Sequence, residues 1–210
     1  MQSVDAFFPI GAFTLSNGLE SFVLEEWIQN PDDLDIYLNG FIHLFPYQDL
    51  GLMHLAYENA DNKEYIMKLD EIAGAMKTSK EVRCGSERMG KRFIKALEKM
   101  GVTSHEIDWY TEGFHPIALG LYGKSCGIEE EQILIMYGYG TISAIVNNAV
   151  KLVPLSQMDG QRILQNSFKK LEEAVKCTLK IQINDLGVSA VANEIHCMRH
   201  EHLYSRQYMS

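Results

Sequence analysis

The sequence lacks the loops that cradle phosphates or activate nucleophiles. It has no Walker-type phosphate loop, no Gly-x-Gly-x-x-Gly turn opening a helix after a strand, and no Gly-x-Ser-x-Gly elbow. Nucleotide hydrolysis and hydride transfer by this chain alone are therefore unsupported. Proline is scarce, at five in 210 residues, which suits a helical protein. Basic residues are outnumbered, 19 Lys and Arg against 28 Asp and Glu. A net charge of −9 argues against a general nucleic-acid binder and against adsorption to an anionic membrane. The four cysteines, Cys84, Cys126, Cys177 and Cys197, form no Cys-x-x-Cys pair. That spacing supports neither a zinc site nor a disulfide framework, so reduced thiols in a cytoplasmic protein are expected. The N-terminus lacks the basic region of a signal peptide.

Helical periodicity fills most of the chain. The stretch Phe8 to Glu20 reads as an aromatic-anchored helix entry. Pro9 fixes φ, Gly11 permits a turn, and Ser16 and Asn17 are good N-caps. Asn17 and Glu20 have capping-box spacing. A first helix is expected over about residues 18–29, with Leu19, Phe22, Val23 and Trp27 on its apolar face and Glu20 and Glu25 outside it. Asn30-Pro31-Asp32 caps a second helix, over about 34–44. Others are expected over about 49–58 and 64–76, and a further element begins at Thr78 to Lys80, carries an apolar stripe over 87–100 and is ended by Gly101. The segment 133–153 is long enough to be tested as a membrane span. Its Gly, Ser, Thr and Asn residues and Lys151 make a buried core helix the better reading. Asp159 is expected to cap a long helix with the stripe Leu164, Phe168, Leu171, Val175 and Leu179. No stretch alternates with period two for long. The chain reads as all-α, a single-domain bundle of roughly seven to ten helices over residues 1–210.

Three features carry possible chemistry. Arg88, Arg92, Lys95 and Lys99 form a basic face, read first as a solvated helix surface and second as a docking stripe for an acidic partner. His196 and His200 stand one turn apart, which is half of a metal site. The His200-Glu201-His202 run is not His-Glu-x-x-His, so a zinc-protease reading fails. A metal-binding protein or metalloenzyme built on His196 and His200 remains the alternative. The tail after Leu203 mixes Tyr204, Arg206, Tyr208 and Met209, side chains that often anchor interfaces.

The chain resembles the UreF family of urease accessory proteins. Phe8, Pro9, Gly11, Phe13, Ser16, Gly18, Leu19 and Glu20 match that family's N-terminal signature. Further blocks follow in order. They are Glu81-Val-Arg83 with Ser86 to Arg92, His115-Pro-Ile-Ala118-Leu-Gly120, Asn148 to Gln157 with Gly160-Gln161, and Met198 to Glu201 with Ser205 to Ser210. Leu15, Asn17, Lys151, Ser156 and Gln207 depart from the common pattern.

The resemblance implies a homodimeric, non-catalytic, cytoplasmic protein without a cofactor of its own. Its implied partners are a UreD/UreH-type accessory protein, a UreG-type GTPase and apo-urease, in an assembly that handles nickel cations and inserts them into urease. Nucleic acid and membrane are not implied. Carried over by position, the resemblance points to Phe13, Ser16, Gly18, Glu20, Arg199, His200, Glu201, Tyr204, Arg206 and Tyr208 as a partner interface. Residues 199–210 form its docking tail. Arg206 is the candidate for any action on a GTPase-bound nucleotide.

Overall fold

The computed structural model describes residues 8–11, 15–102 and 107–209. Its α-helices, in chain order, are α1 Leu19–Leu24, α2 Pro31–Leu44, α3 Asp49–Glu58, α4 Lys63–Met76, α5 Lys80–Lys99, α6 His115–Ser125, α7 Glu130–Leu152, α8 Gln157–Thr178 and α9 Val191–His200. Two short 3-10 turns, Phe45–Tyr47 and Ile183–Asp185, complete the set. No strand occurs among the described residues, so the fold is all-α as the periodicity predicts.

The centre is the crossing of α3 and α6. Leu50 to Ala56 is buried without interruption, as is His115 to Leu121. Helices apolar on all sides belong in a core. Gly120 permits the crossing: a Cβ there would lie 2.5 Å from the Met53 carbonyl oxygen. α7 lays its buried face, including Ile133, Leu134, Ile142 and Val146, across α3 and α8. α7 is the one described helix long and apolar enough to cross a membrane by length and composition, and half of its most apolar window is buried inside the fold.

Local signals account for several boundaries. The Asn30 side chain accepts from the Asp32 and Asp33 backbone N–H groups, and Pro31 opens α2. At the end of α5, Gly101 takes φ +71°, while Val102 N–H donates to Leu97 O at 3.0 Å. This is the left-handed helix stop that glycine favours.

Four expectations are corrected. α1 ends at Leu24 rather than near Gln29, because Glu26 adopts φ +64° and Trp27 N–H donates back to Phe22 O at 2.9 Å. Trp27 then lies outside the helix and is two-thirds exposed. No side chain caps α1: Gly18 is the cap residue, at φ +85°, so the Asn17–Glu20 capping box does not form. α8 is capped by Ser156, with Asp159 as the reciprocal third residue of a capping box. Phe168 of the expected stripe is turned outward, against Tyr139.

Candidate functional site

The two ends of the described chain meet. α1 packs on α9, and Gly18 sets how closely: a Cβ there would stand 2.9 Å from Cys197 Sγ, at a φ that only glycine adopts cheaply. Burial pushes the Cys197 thiol up to about 12, so it stays protonated and inert.

On this junction Glu20 is buried, only 3% exposed, rather than solvated beside its helix. Its carboxylate gathers three partners. His200 Nε2 lies 2.9 Å from Oε2, Gln207 N–H donates to Oε1 at 2.8 Å, and Tyr208 N–H donates to Oε2 at 3.2 Å. His200 is itself completely buried, and its other nitrogen, Nδ1, lies 2.6 Å from Glu81 Oε2 of α5. Arg206 closes the cluster by donating from Nη1 to Glu81 Oε1 at 2.5 Å. The tail thus folds back onto α1 and α5 and is held there by two carboxylates. Each hydrogen bond to a charged group of this kind contributes roughly 1.5–3 kcal/mol.

A second ion pair joins the same elements. Arg199 donates from Nη1 to both Glu25 oxygens, at 3.0 and 2.8 Å. His196 stacks on Phe22 with ring centroids 3.7 Å apart, and its Nδ1 lies 3.7 Å from Glu25. Burial lowers its tendency to take a proton, the Glu25 charge opposing. His196 and His200 therefore serve different partners. No group of three or more His, Cys, Asp or Glu side chains suited to a metal ion occurs among the described residues. The pairing of His196 with His200 as half of a metal site does not form.

Other sequence-selected residues are placed as follows. Ser16 is buried, and its carbonyl accepts from Leu19 N–H at 3.1 Å. Glu201 borders a shallow concavity with Glu81 and Cys84. Tyr204 is fully exposed. Tyr208 is half-buried, and desolvation followed by the Glu20 charge pushes its phenol up. Phe13 and Ser210 lie outside the described residues.

The basic face of α5 is partly committed inside the fold. Arg92 donates to Ile10 O at 3.2 Å and so braces the Phe8–Gly11 turn. Arg88 donates to Cys84 O at 3.0 Å, and Lys91 pairs with Glu112. Asn148 of α7 donates to Leu15 O at 3.0 Å, and the Tyr37 hydroxyl donates to Asn17 O at 3.0 Å. The N-terminal segment is thereby held by α2, α5, α7 and α9 together.

Sequence reasoning missed Glu81 and Glu25 as site residues. Neither has a local signal, since each acts on a residue more than 100 positions away. It also missed an apolar stripe. Val191, Ile195 and Met198, at i, i+4 and i+7 on α9, are exposed, and Leu24 at the end of α1 and Trp27 just past it are exposed too. That stripe was readable as a period, but its outward direction was not.

A cleft of about 810 Å³ adjoins the junction, between the N-terminal segment, the middle of α7 and the start of α9. His115 borders it with an unpartnered Nε2, and burial pushes that imidazole down to about 4. Asp49 joins Lys77 (2.6 Å) and the Tyr137 hydroxyl (3.0 Å) along the same wall.

The fold and site define an all-α protein in which the charged groups of the junction pair with one another across α1, α5, α9 and the tail. The UreF family model matches residues 28–167. The urease accessory protein UreF of Haemophilus influenzae (strain PittEE) is 33% identical over 220 residues, covering all of this chain and 94% of that protein. Its namesakes from Actinobacillus pleuropneumoniae serotype 5b (strain L20) and Bacillus sp. (strain TB-90) are 33% and 31% identical. They too align with the whole chain, over 97% and 96% of their own lengths. The chain belongs to the UreF family of urease accessory proteins.

Proposed function

We propose that the protein is a non-catalytic adaptor of urease maturation. In this reading it works in the cytoplasm as a homodimer. It holds a UreD/UreH-type protein and a UreG-type GTPase in register while nickel is inserted into apo-urease. Residues 1–210 act as one unit, with 199–210 as its partner-docking segment.

One observation carries this reading. Residues from three blocks of the family resemblance, namely Glu20, Glu81, and His200 with Arg206, converge on a single junction. Beside it lies the exposed apolar stripe of Val191, Ile195, Met198, Leu24 and Trp27. Apolar side chains rimmed by charge are the composition of a protein-binding surface. Arg206 is 40% exposed at its side chain, which leaves it reachable by a partner. Action of Arg206 on a nucleotide held by the GTPase is part of this proposal.

The test is co-purification with UreD-type and UreG-type partners, for the full chain and for a chain cut before Arg199, with mass by light scattering. The expected result is a complex with the full chain and none with the shortened one, which stays folded. Loss of binding by both chains, or equal binding by both, defeats the reading.

A further inference from the structure

Residues 206–208 sit on the two carboxylates of the junction in the manner of a bound peptide. His200 stands between the acids and engages one oxygen of each. Its Nε2 lies 2.9 Å from Glu20 Oε2, and its Nδ1 lies 2.6 Å from Glu81 Oε2. The other two oxygens face the tail. Arg206 Nη1 donates to Glu81 Oε1 at 2.5 Å, and Gln207 N–H donates to Glu20 Oε1 at 2.8 Å. Tyr208 N–H adds a bond to Glu20 Oε2 at 3.2 Å.

No acceptor of this site belongs to the tail. Glu20 is carried by α1, Glu81 by α5 and the bridging His200 by α9, and both Glu20 and His200 are buried. The last turn of α9 is closed by Leu203 N–H, which donates to His200 O at 3.2 Å. Tyr204 and Ser205, both exposed, link that turn to Arg206. The segment that fills the site contributes one side chain and two main-chain donors. The Gln207 side chain itself is exposed. Every residue except proline carries the N–H that Gln207 supplies. Carboxylates only accept, and they accept most strongly from a charged donor such as a guanidinium. The site therefore asks for an arginine followed by two residues other than proline.

We propose that the Glu20–Glu81–His200 pocket is a peptide-binding site for segments of that pattern, and that the chain's own residues 206–208 are its tethered ligand. Arginine answers the Glu81 carboxylate, and the two N–H groups answer Glu20. The departure of Gln207 from the common family pattern has no consequence for this docking, because the position is recognised through its main chain. A short tether holds its ligand at an effective concentration in the millimolar range. A free segment of the same pattern therefore competes poorly until the tail leaves. The proposal goes beyond the adaptor reading and does not rest on it.

A full-length chain carrying Arg206→Gln and Gln207→Pro tests it, since both changes lie on the tail and leave every core residue in place. The chain is titrated with an acetylated and amidated peptide of residues 204–209, and the amide resonances of α1 and α5 are followed by NMR. Resonances of α7 serve as the folding reference. The peptide is expected to shift the α1 and α5 signals saturably. The unaltered chain, with its own tail in place, should need at least about tenfold more peptide. Gln207→Ala in the peptide should change its Kd by less than about twofold. N-methylation of Gln207 in the peptide, which removes the N–H and keeps the side chain, should weaken binding about tenfold or more. Arg206→Gln in the peptide should do the same. Lack of saturable shifts on the altered chain overturns the site, and so does equal binding by the two chains. Equal loss with the Gln207→Ala and N-methyl peptides overturns main-chain recognition. No other protein is present in this experiment, so its failure leaves the adaptor reading standing, and failure of co-purification leaves the peptide site standing.

Discussion

The α3–α6 crossing and the α1–α9–tail junction are both buried, but different forces hold them. At the crossing, two apolar helices approach until a Cβ on Gly120 would strike backbone. Close packing and the removal of apolar surface from water do the holding, at roughly 25 cal/mol per Å². At the junction, a buried glutamate and a buried histidine hold a polar tail through hydrogen bonds and charge. Apolar packing makes the crossing insensitive to salt, while the buried His115 at its edge couples it to acid. The junction consists of groups that can exchange one partner for another, which suits a surface that must assemble.

The largest effect expected on the apolar side is from Phe93→Ala. Phe93 is fully buried among the rings of Phe8, His115 and Tyr122. Its loss should cost about 3–5 kcal/mol in a urea titration. If it also strips protection from residues 203–209 under native conditions, the two regions are one cooperative unit and the contrast fails.

Acid should act next, and through His115. Burial depresses its folded-state value from 6.5 to about 4. The unfolded chain therefore binds a proton first as pH falls. The stability contributed by the buried neutral imidazole is complete above pH 6.5, and about 3 kcal/mol is lost by about pH 4. His115→Gln should flatten that part of the urea-measured stability profile. An unchanged slope would move the acid sensitivity elsewhere.

Gly18→Ala should cost about 1–2 kcal/mol, from the left-handed backbone and from contact with Cys197. The damage should concentrate in exchange from α1, α9 and the tail. Equal loosening of α3 would show that the junction braces the core.

The smallest effect belongs to Arg199→Ala. Its pair with Glu25 is largely solvent-exposed, 58% at the arginine, so screening limits the loss to about 0.2–1 kcal/mol. A double-mutant cycle with Glu25→Ala measures the coupling directly. A value above about 2 kcal/mol would place this pair with the buried contacts.

The legible parts of the fold are those with local causes. α3 and α4 follow from periodicity, and their expected and observed spans agree to within a residue. Asn30 and Gly101 announce helix ends because the required groups sit within a few positions. The early end of α1 was illegible because the left-handed residue is Glu26, not glycine or asparagine. At α8, Ser156 and Asp159 are both cap formers, and the capping box uses both, so sequence alone selected the wrong one. Of the junction, Glu20 came from the family resemblance alone, while His200 was also marked by its spacing from His196 and Arg206 by its place in an interface-type tail. No window reveals that Glu20 bonds residues 180 and 187 positions away. The same limit applies to His196 and His200. Their spacing places them on one helix, but aromatic stacking claims one ring and two carboxylates claim the other.

Those separations have a consequence for how the protein is made. Synthesis runs from Glu20 toward Gln207, so the Glu20 carboxylate stays without its tail partners until the 187 positions that separate it from Gln207 have been made. The core helices α3, α6 and α7 are all available for packing before then. A chain that lacks residues 207 and 208 can bury its interior yet leave the Glu20 carboxylate with only one of its three hydrogen-bond partners, His200.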